Sequence, residues 1–388
     1  MGFRRTIILI QRDSVKVEGM KIHNVLLFAI ALLAAAALPA ARQPPPPSVI
    51  AASVGDSVFL MDPSTGQTIG FDTGPVGWLF PAPGGVLFAP NVIDGVTTVI
   101  NLRTLQVVDR LDGLTMPYFG ETPDRYIALA GEVMMVTYPE RAVMAIIPAV
   151  IAHPWQAIVA PDDAAMLILE RLPDGSTGIH MTTINLITRQ VIYQQPLAGD
   201  IIHMALSPQL GLLALADSEN NRVHLVEPAT LTPMVDFVTP GAPRDVVFAA
   251  DGKTLAIAVE TADGGGVLHL GLYKSGKKGL RLHKEFSIGL TGGPIRIDRS
   301  PGGNLIAVAL DNGSVQIVDV KEKAVVAVIE LPGVPRDLRW CDPTREGPMI
   351  PQWTDGETPA EFGTFVPKVR GDGELSGLEE PVRKRPPN

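Results

Sequence analysis

Trp78, Tyr118, Gln156, His203, Asp245, Arg296 and Asp337 each stand four residues ahead of a turn that recurs along the chain. Each of the seven carries a hydrogen-bonding group, whereas the positions just after them are mostly apolar. One residue earlier lie Gly77, Pro117, Trp155, Ile202, Arg244, Ile295 and Arg336. Brought to one place, two aromatics, an amide, a histidine, two aspartates and an arginine suit the grip of a small polar ligand or a peptide end. The candidate ligand-binding set is therefore Trp78, Tyr118, Gln156, His203, Arg244, Asp245, Arg296, Arg336 and Asp337. A plainer alternative stays open. The tripeptide "PRD" occurs at 243–245 and again at 335–337, and each arginine can pair with an aspartate of its own or a neighbouring unit, leaving a wet ring with no ligand.

Other chemistry finds less support. The seven histidines are His23, His153, His180, His203, His224, His269 and His283, and none forms a close pair at metal-ligand spacing. A single cysteine, Cys341, permits no disulfide, zinc pair or haem attachment within the chain. There is no GxSxG elbow, and Ser207 and Ser300 each precede or open a turn, where Ser-Pro is a turn-forming pair. Asp245 and Asp337 facing each other across a channel remain an acid–base option. The glycine-rich "VETADGGGVLHL" (259–270) is followed by no helix that would hold a phosphate. No catalytic residue, metal or cofactor is assigned.

These positions become equivalent only through a repeat. "APRDVVFAADGKTLAIAVE" (242–260) and "GPIRIDRSPGGNLIAVALD" (293–311) are two copies of a strand, a tight turn and a strand. The same turn starts at 82, 122, 160, 207, 249, 300 and, degenerate, at Cys341, giving spacings of 40, 38, 47, 42, 51 and 41 residues. Each unit continues with a second pair of β-rich runs, as in "NGSVQIVDVKEKAVVAVIELPG" (312–333). Runs of this kind bounded by Gly, Pro, Asn and Asp are strands joined by hairpins. A period near 43 with four strands per unit is the signature of a propeller blade. The first unit, from Val49, lacks an innermost strand, and "VPRDLRWCDPT" (334–344) is an innermost strand with no blade after it. The reading is an all-β, seven-bladed β-propeller of four-stranded antiparallel blades, closed by N- and C-terminal strands that share one blade.

Units of the form "PRDVVFAADGKTLAIA" followed by "SVQIVDV" resemble YVTN-type propeller repeats, a group related to lactonase-like and quinoprotein-like propellers. The resemblance spans roughly residues 49–344. It departs from the family where Ala256 and Ala307 replace the tyrosine of the name, and there is no His-Trp-Asp signature of WD repeats. It implies a seven-bladed, often exported propeller, and it leaves activity open because one fold hosts many functions. A lactonase-like propeller can hold a divalent metal with channel carboxylates; two aspartates without a matching glutamate or asparagine set support that only thinly.

Compartment and partners follow from the rest of the chain. "MKIHNVLLFAIALLAAAALPAARQ", from Met20, reads as a secretory signal cut after Ala40, with Met20 a possible true start and an uncleaved anchor as the rival. Its apolar run from Val25 to Leu38 is shorter than the ~20 residues of a spanning helix. Residues 1–40 are thus the signal peptide, 41–48 a Pro-rich linker, 49–345 the propeller and 346–388 a largely disordered tail. The expected location is periplasmic or secreted, with no membrane span after cleavage and a monomeric state. A formal charge of −9 disfavours nucleic acid. A local exception is the basic "LYKSGKKGLRLHKEF" (272–286), read as a solvated hairpin tip or as a docking site for an anionic partner. The leading expectation is a non-enzymatic binding module for an envelope protein, peptide or small polar ligand at the channel mouth. The alternatives are a lactonase-like or quinoprotein-related enzyme and a structural envelope scaffold.

Overall fold

The strands of this chain are apolar on both faces where they are central and alternate where they are peripheral. "TLAIAVE" (254–260) and "LIAVAL" (305–310) are buried almost throughout, while "AVVAVIE" (324–330) alternates between exposed and partly buried positions. A period-2 chain with two buried faces has to lie between two other sheets. Radial blades supply that environment.

A computed structural model describes residues 48–347 apart from 92, 114–115, 130–131, 150, 152, 172–177 and 277–278. The expected signal segment and most of the expected tail lie outside the described residues. Blade 1 contains β1 (Val49–Val54), β2 (Ser57–Met61) and β3 (Thr68–Asp72). Blade 2 is β4 (Phe80–Ala82), β5 (Val86–Asn91), β6 (Val96–Asn101) and β7 (Gln106–Asp112). Blade 3 is β8 (Pro117–Tyr118), β9 (Arg125–Leu129), β10 (Val133–Thr137) and β11 (Val143–Ile147). Blade 4 is β12 (His153–Val159), β13 (Ala165–Arg171), β14 (Ile179–Asn185) and β15 (Gln190–Leu197). Blade 5 is β16 (Ile201–Ser207), β17 (Leu212–Asp217), β18 (Arg222–Val226) and β19 (Pro233–Val238). Blade 6 is β20 (Ala242–Phe248), β21 (Thr254–Glu260), β22 (Gly266–Gly276) and β23 (Gly279–Leu290). Blade 7 is β24 (Pro294–Arg299), β25 (Leu305–Leu310), β26 (Ser314–Asp319) and β27 (Ala324–Glu330). The last strand, β28 (Pro335–Cys341), joins blade 1 in the order β28-β1-β2-β3. The protein is a seven-bladed β-propeller of four-stranded antiparallel blades.

Seven apolar clusters, one at each junction, hold the ring. Leu255, Ile257 and Val259 face blade 5, with Ala214, Val223 and Leu225. Their neighbours in sequence, Ala256 and Ala258, face blade 7, with Ile306 and Val308. The blade 7–blade 1 junction closes in the same way, packing Ala307, Val315 and Ile317 against Ile50, Met61, Leu338 and Trp340. Each fully buried Leu, Ile or Val contributes roughly 1.5–3 kcal/mol relative to exposure. The shared blade also removes an unpaired strand edge, because β1 ladders with β28 from Val49–Cys341 to Val54–Pro335.

Blades 2 and 3 depart from the regular pattern. Their innermost strands, β4 and β8, span only three and two residues. Aromatic packing covers the shortfall: Phe80 meets Tyr118 edge-on at 5.2 Å, and Phe119 meets Tyr138 at 5.1 Å. The Tyr138 hydroxyl donates to the Pro83 carbonyl at 3.1 Å across the junction. The segment following β28 adds a strap: Pro343 O accepts from Arg103 Nε (2.6 Å), Arg345 O from Gly84 N (3.0 Å), and Arg345 Nη2 donates to Gly120 O (2.7 Å).

Candidate functional site

The local sequence that builds the channel wall is proline, one extra residue, then a polar residue. In blades 4, 6, 7 and 1 this reads Pro154-Trp155-Gln156, Pro243-Arg244-Asp245, Pro294-Ile295-Arg296 and Pro335-Arg336-Asp337. Proline has no N–H to give a ladder, so it sits at strand starts, edges and bulges. At each of these sites the innermost strand carries a β-bulge, and the middle residue of the three has no partner in the pairing register. Blade 5 has the same bulge at Ile202, between Ile201 and His203. Five of the seven innermost strands therefore expel a residue at one equivalent position: Trp155, Ile202, Arg244, Ile295 and Arg336.

The polar residue after each bulge reaches the next blade. Gln156 accepts from Met204 N at 2.7 Å through Oε1 and donates to Met204 O at 2.8 Å through Nε2. His203 Nδ1 lies 2.5 Å from Asp245 Oδ1, so that nitrogen carries the proton and donates. The Gln156 amide at 3.3 Å from the same nitrogen is then a neighbour rather than a second donor. Asp245 Oδ2 accepts from Ile297 N at 2.8 Å, and its Oδ1 from Val246 N at 2.7 Å. Arg296 Nε lies 3.8 Å from Asp337 Oδ1. Asp337 Oδ2 accepts from Leu79 N at 2.8 Å, while its own N–H donates to Ser53 Oγ at 3.0 Å. A stitch thus runs from blade 4 through blades 5, 6, 7 and 1 to blade 2, with acceptor and donor side chains in turn.

Electrostatics follow this wiring. Burial on its own would raise the Asp245 carboxyl, yet the adjacent His203, Arg296 and the Ile297 N–H outweigh it, and the net direction is down from 3.8. Asp298 goes the other way. Burial raises it, and Arg339 with the Trp340 and Arg299 N–H groups offsets only part of that. Arg339 is held charged above its usual value by Asp337, Asp298 and Asp245 despite burial. Burial also pushes up the hydroxyl of Tyr118.

Of the nine expected site residues, Gln156, His203, Asp245, Arg296 and Asp337 are brought into one connected network. Trp78 and Tyr118 join the aromatic packing between blades 2 and 3, where Trp78 precedes the short β4. Arg244 pairs with Glu260 of its own blade, Nε to Oε2 at 2.5 Å, rather than with Asp245. Arg336 is exposed and makes no hydrogen bond or ion pair among the described residues. Two network members were not singled out from sequence: Arg339, with Nε 3.3 Å from Asp337 Oδ2, and Asp298, which accepts from Trp340 N at 2.7 Å. Both stand two residues beyond a ring position, on the same strand face, so a period-2 count from Arg296 and Asp337 reaches them.

Chemically, the Asp245 carboxylate spends its oxygens on His203 and two backbone N–H groups, which makes it a fastener, whereas Asp337 bonds through Oδ2 and leaves its buried Oδ1 without a hydrogen bond, 3.8 Å from Arg296 Nε. The side chains outside this network lie one residue earlier, where Trp155 and Ile202 pack on the neighbouring cores. There Arg336 is free, Arg244 is half-exposed, and Trp155 carries Arg171 over its ring at 5.3 Å. Among the described residues no group of three or more His, Cys, Asp or Glu side chains is placed to hold a metal ion.

No family model matches the chain, and no curated protein matches it. Solved structures do. The chain is similar to hydrazine synthase from Kuenenia stuttgartiensis, with a TM-score of 0.55 and 15% identity over 70% of this chain and 90% of that one. It is similar to a candidate 6-phosphogluconolactonase from Bacteroides fragilis, with a TM-score of 0.56 and 13% identity over 76% of this chain and 97% of that one. It is also similar to a dihydro-heme d1 dehydrogenase, with a TM-score of 0.52 and 13% identity over 80% of this chain and 78% of that one. At these identities the likeness is one of propeller fold alone.

Proposed function

We propose that this chain is an exported propeller of the YVTN-repeat kind, periplasmic or secreted. Its role is to bind a partner protein, a peptide or a small polar molecule at one mouth of the channel. The observation that carries this reading is the recurring bulge. A bulge leaves its extra residue out of the ladder and re-aims the side chain, and here it does so at one equivalent position in five blades. Two arginines and a tryptophan are among the five, residue types that dominate binding hot spots. The ring beside them is stitched from blade to blade by hydrogen bonds, with Asp337 Oδ1 left unbonded, and serves as the floor of that mouth.

A thermal-shift screen of peptides, sugars, lactones and quinones tests the reading, since a ligand of the folded state raises the melting temperature. The expected result is a ligand whose shift, measured against each variant's own unliganded melting temperature, disappears in Arg336→Ala and in the Trp155→Ala, Arg244→Ala, Arg336→Ala triple variant; Arg336 makes no hydrogen bond or ion pair among the described residues, so its single variant should melt near the parent. A bound ligand whose shift survives all three substitutions would place recognition elsewhere.

A further inference from the structure

The stitch along the channel wall has one open link. Between blades 4 and 5, 5 and 6, 6 and 7, and 1 and 2 the joining contacts run from 2.5 to 2.8 Å. Between blades 7 and 1, Arg296 Nε stays 3.8 Å from Asp337 Oδ1, beyond hydrogen-bond reach. Asp337 is fully buried, and that oxygen has no hydrogen-bond partner among the described residues. Arg296 makes no hydrogen bond among them either.

The groups around this gap are mostly unused donors. Arg339, two residues beyond Asp337 on β28, engages only through Nε, 3.3 Å from Leu79 O and 3.3 Å from Asp337 Oδ2. Its terminal N–H groups make no hydrogen bond among the described residues. The Arg296 and Arg339 side chains are 27% and 29% exposed, so both guanidinium groups are open to a ligand. The Tyr118 hydroxyl, whose proton is held by burial first and then influenced by Arg339 and Asp337, belongs to the same field and is likewise unbonded. A guanidinium is a planar fork of donors that matches a carboxylate. A buried acceptor without a donor bears its full desolvation cost, and such an atom in a folded protein calls for a partner. The gap therefore offers several donors and one acceptor, side by side.

We propose that this open link binds a small carboxylate that carries an O–H or N–H on the adjoining carbon. The carboxylate takes N–H groups of Arg296 and Arg339, and the donor beside it goes to Asp337 Oδ1. Arg296, held by no hydrogen bond, turns from Asp337 to the ligand and uncovers that oxygen. The Asp337 carboxylate disfavours a doubly charged phosphate in the same place. A free hydroxy acid and the C-terminal residue of a peptide present this chemistry equally. The site lies in the channel wall and uses none of Trp155, Arg244 and Arg336, so it stands or falls apart from the mouth.

The test is calorimetric titration of the full chain at neutral pH with glycolate, N-acetylglycine, acetate and inorganic phosphate. At least one of glycolate and N-acetylglycine should bind ~10-fold tighter than acetate, which lacks the donor for the charged Asp337 oxygen. Preference for glycolate assigns the site to a free hydroxy acid, and preference for N-acetylglycine assigns it to a peptide end. Arg296→Gln breaks no hydrogen bond among the described residues, so it should melt near the parent yet weaken binding ~10-fold. Asp337→Asn, checked for folding by its melting temperature, should erase the preference over acetate. Arg189→Gln, which removes an exposed cation in blade 4, should change nothing. Acetate binding as tightly as both donor-bearing probes, tighter binding of phosphate, or no binding of any probe would overturn the proposal. So would affinity that survives Arg296→Gln, and if that same affinity fell in Arg336→Ala the carboxylate would belong to the mouth instead.

Discussion

Nδ1 of His203 in blade 5 lies 2.5 Å from Oδ1 of Asp245 in blade 6, and the same carboxylate accepts the Ile297 N–H of blade 7. One side chain thereby ties three consecutive blades at the channel wall, where β16, β20 and β24 have no further strand to pair with. Asp245 is 1% exposed. Its replacement removes the fastener and strands its partners in the same step.

Asp245→Ala should therefore lower stability by about 2–6 kcal/mol, because it leaves the buried His203 Nδ1–H and Ile297 N–H without an acceptor, at roughly 1–3 kcal/mol each. Urea denaturation at neutral pH measures it. A much smaller loss would mean that water replaces the carboxylate without penalty.

The two channel aspartates should respond to pH with opposite signs. Asp245 is lowered from 3.8 in the fold, so its stabilisation is complete above 3.8 and is lost as pH falls through its folded value. Asp298 is raised, so it begins to cost stability as pH climbs from 3.8 through its folded value. Asp298→Asn keeps an acceptor for the Trp340 N–H and removes the charge. It should raise the urea midpoint at neutral pH and leave it unchanged well below 3.8. A midpoint that falls at neutral pH would mean that Asp298 serves Arg339 as an ion-pair partner more than it suffers from burial.

The repeated turns touch one another. Gly303, in the turn of blade 7, has φ +73 and faces Ala250, in the turn of blade 6, so closely that a Cβ would overlap the Ala250 side chain. The contact is closed by an Ala250 N–H bond to Gly303 O at 3.5 Å. Gly303→Ala pays twice, in backbone strain and in displacement of a neighbouring blade, and should cost at least 1–3 kcal/mol. Gly302→Ala is the control, because a Cβ there meets nothing within 4 Å. Equal melting temperatures for the two variants would show that the turns slide freely.

Much of this architecture was legible in sequence, and the reasons are physical. The turns at 249 and 300 announce the repeat because tight turns admit few residue types, whereas the bulges after Pro154, Pro243, Pro294 and Pro335 emerged only from the strand register. Blade closure was legible because the first unit lacks only its innermost strand and the chain ends on one innermost strand with no blade after it. The partner choices were not. Nothing in "PRD" distinguishes an arginine that pairs with Glu260 from one left exposed at 336, since the outcome depends on which residue the neighbouring strand presents. The strap through Pro343 and Arg345 was equally hidden, because it rests on backbone carbonyls, which every residue possesses. Arg339 and Asp298 went unnoticed through counting a single ring position instead of every second residue along the same strand.

Closure of the ring and the state of the one cysteine can be read in a single experiment. Cys341 is the last residue of β28, fully buried, with its thiol pushed upward by burial. Its neighbour Trp340, 5% exposed, fills the junction between blades 7 and 1. While β28 is docked, the thiol is both shielded and protonated, and a thiolate-selective reagent such as Ellman's should not react. Trp340→Ala should remove about 3–5 kcal/mol of packing and, because it acts on the closing strand, let β28 open ahead of the other blades. The expected signature is Cys341 labelling at denaturant concentrations where the far-ultraviolet circular dichroism of the sheets is still native. Labelling that coincides with global unfolding would show that the shared blade opens no earlier than the rest. Labelling of the parent protein without denaturant would contradict the buried closure itself.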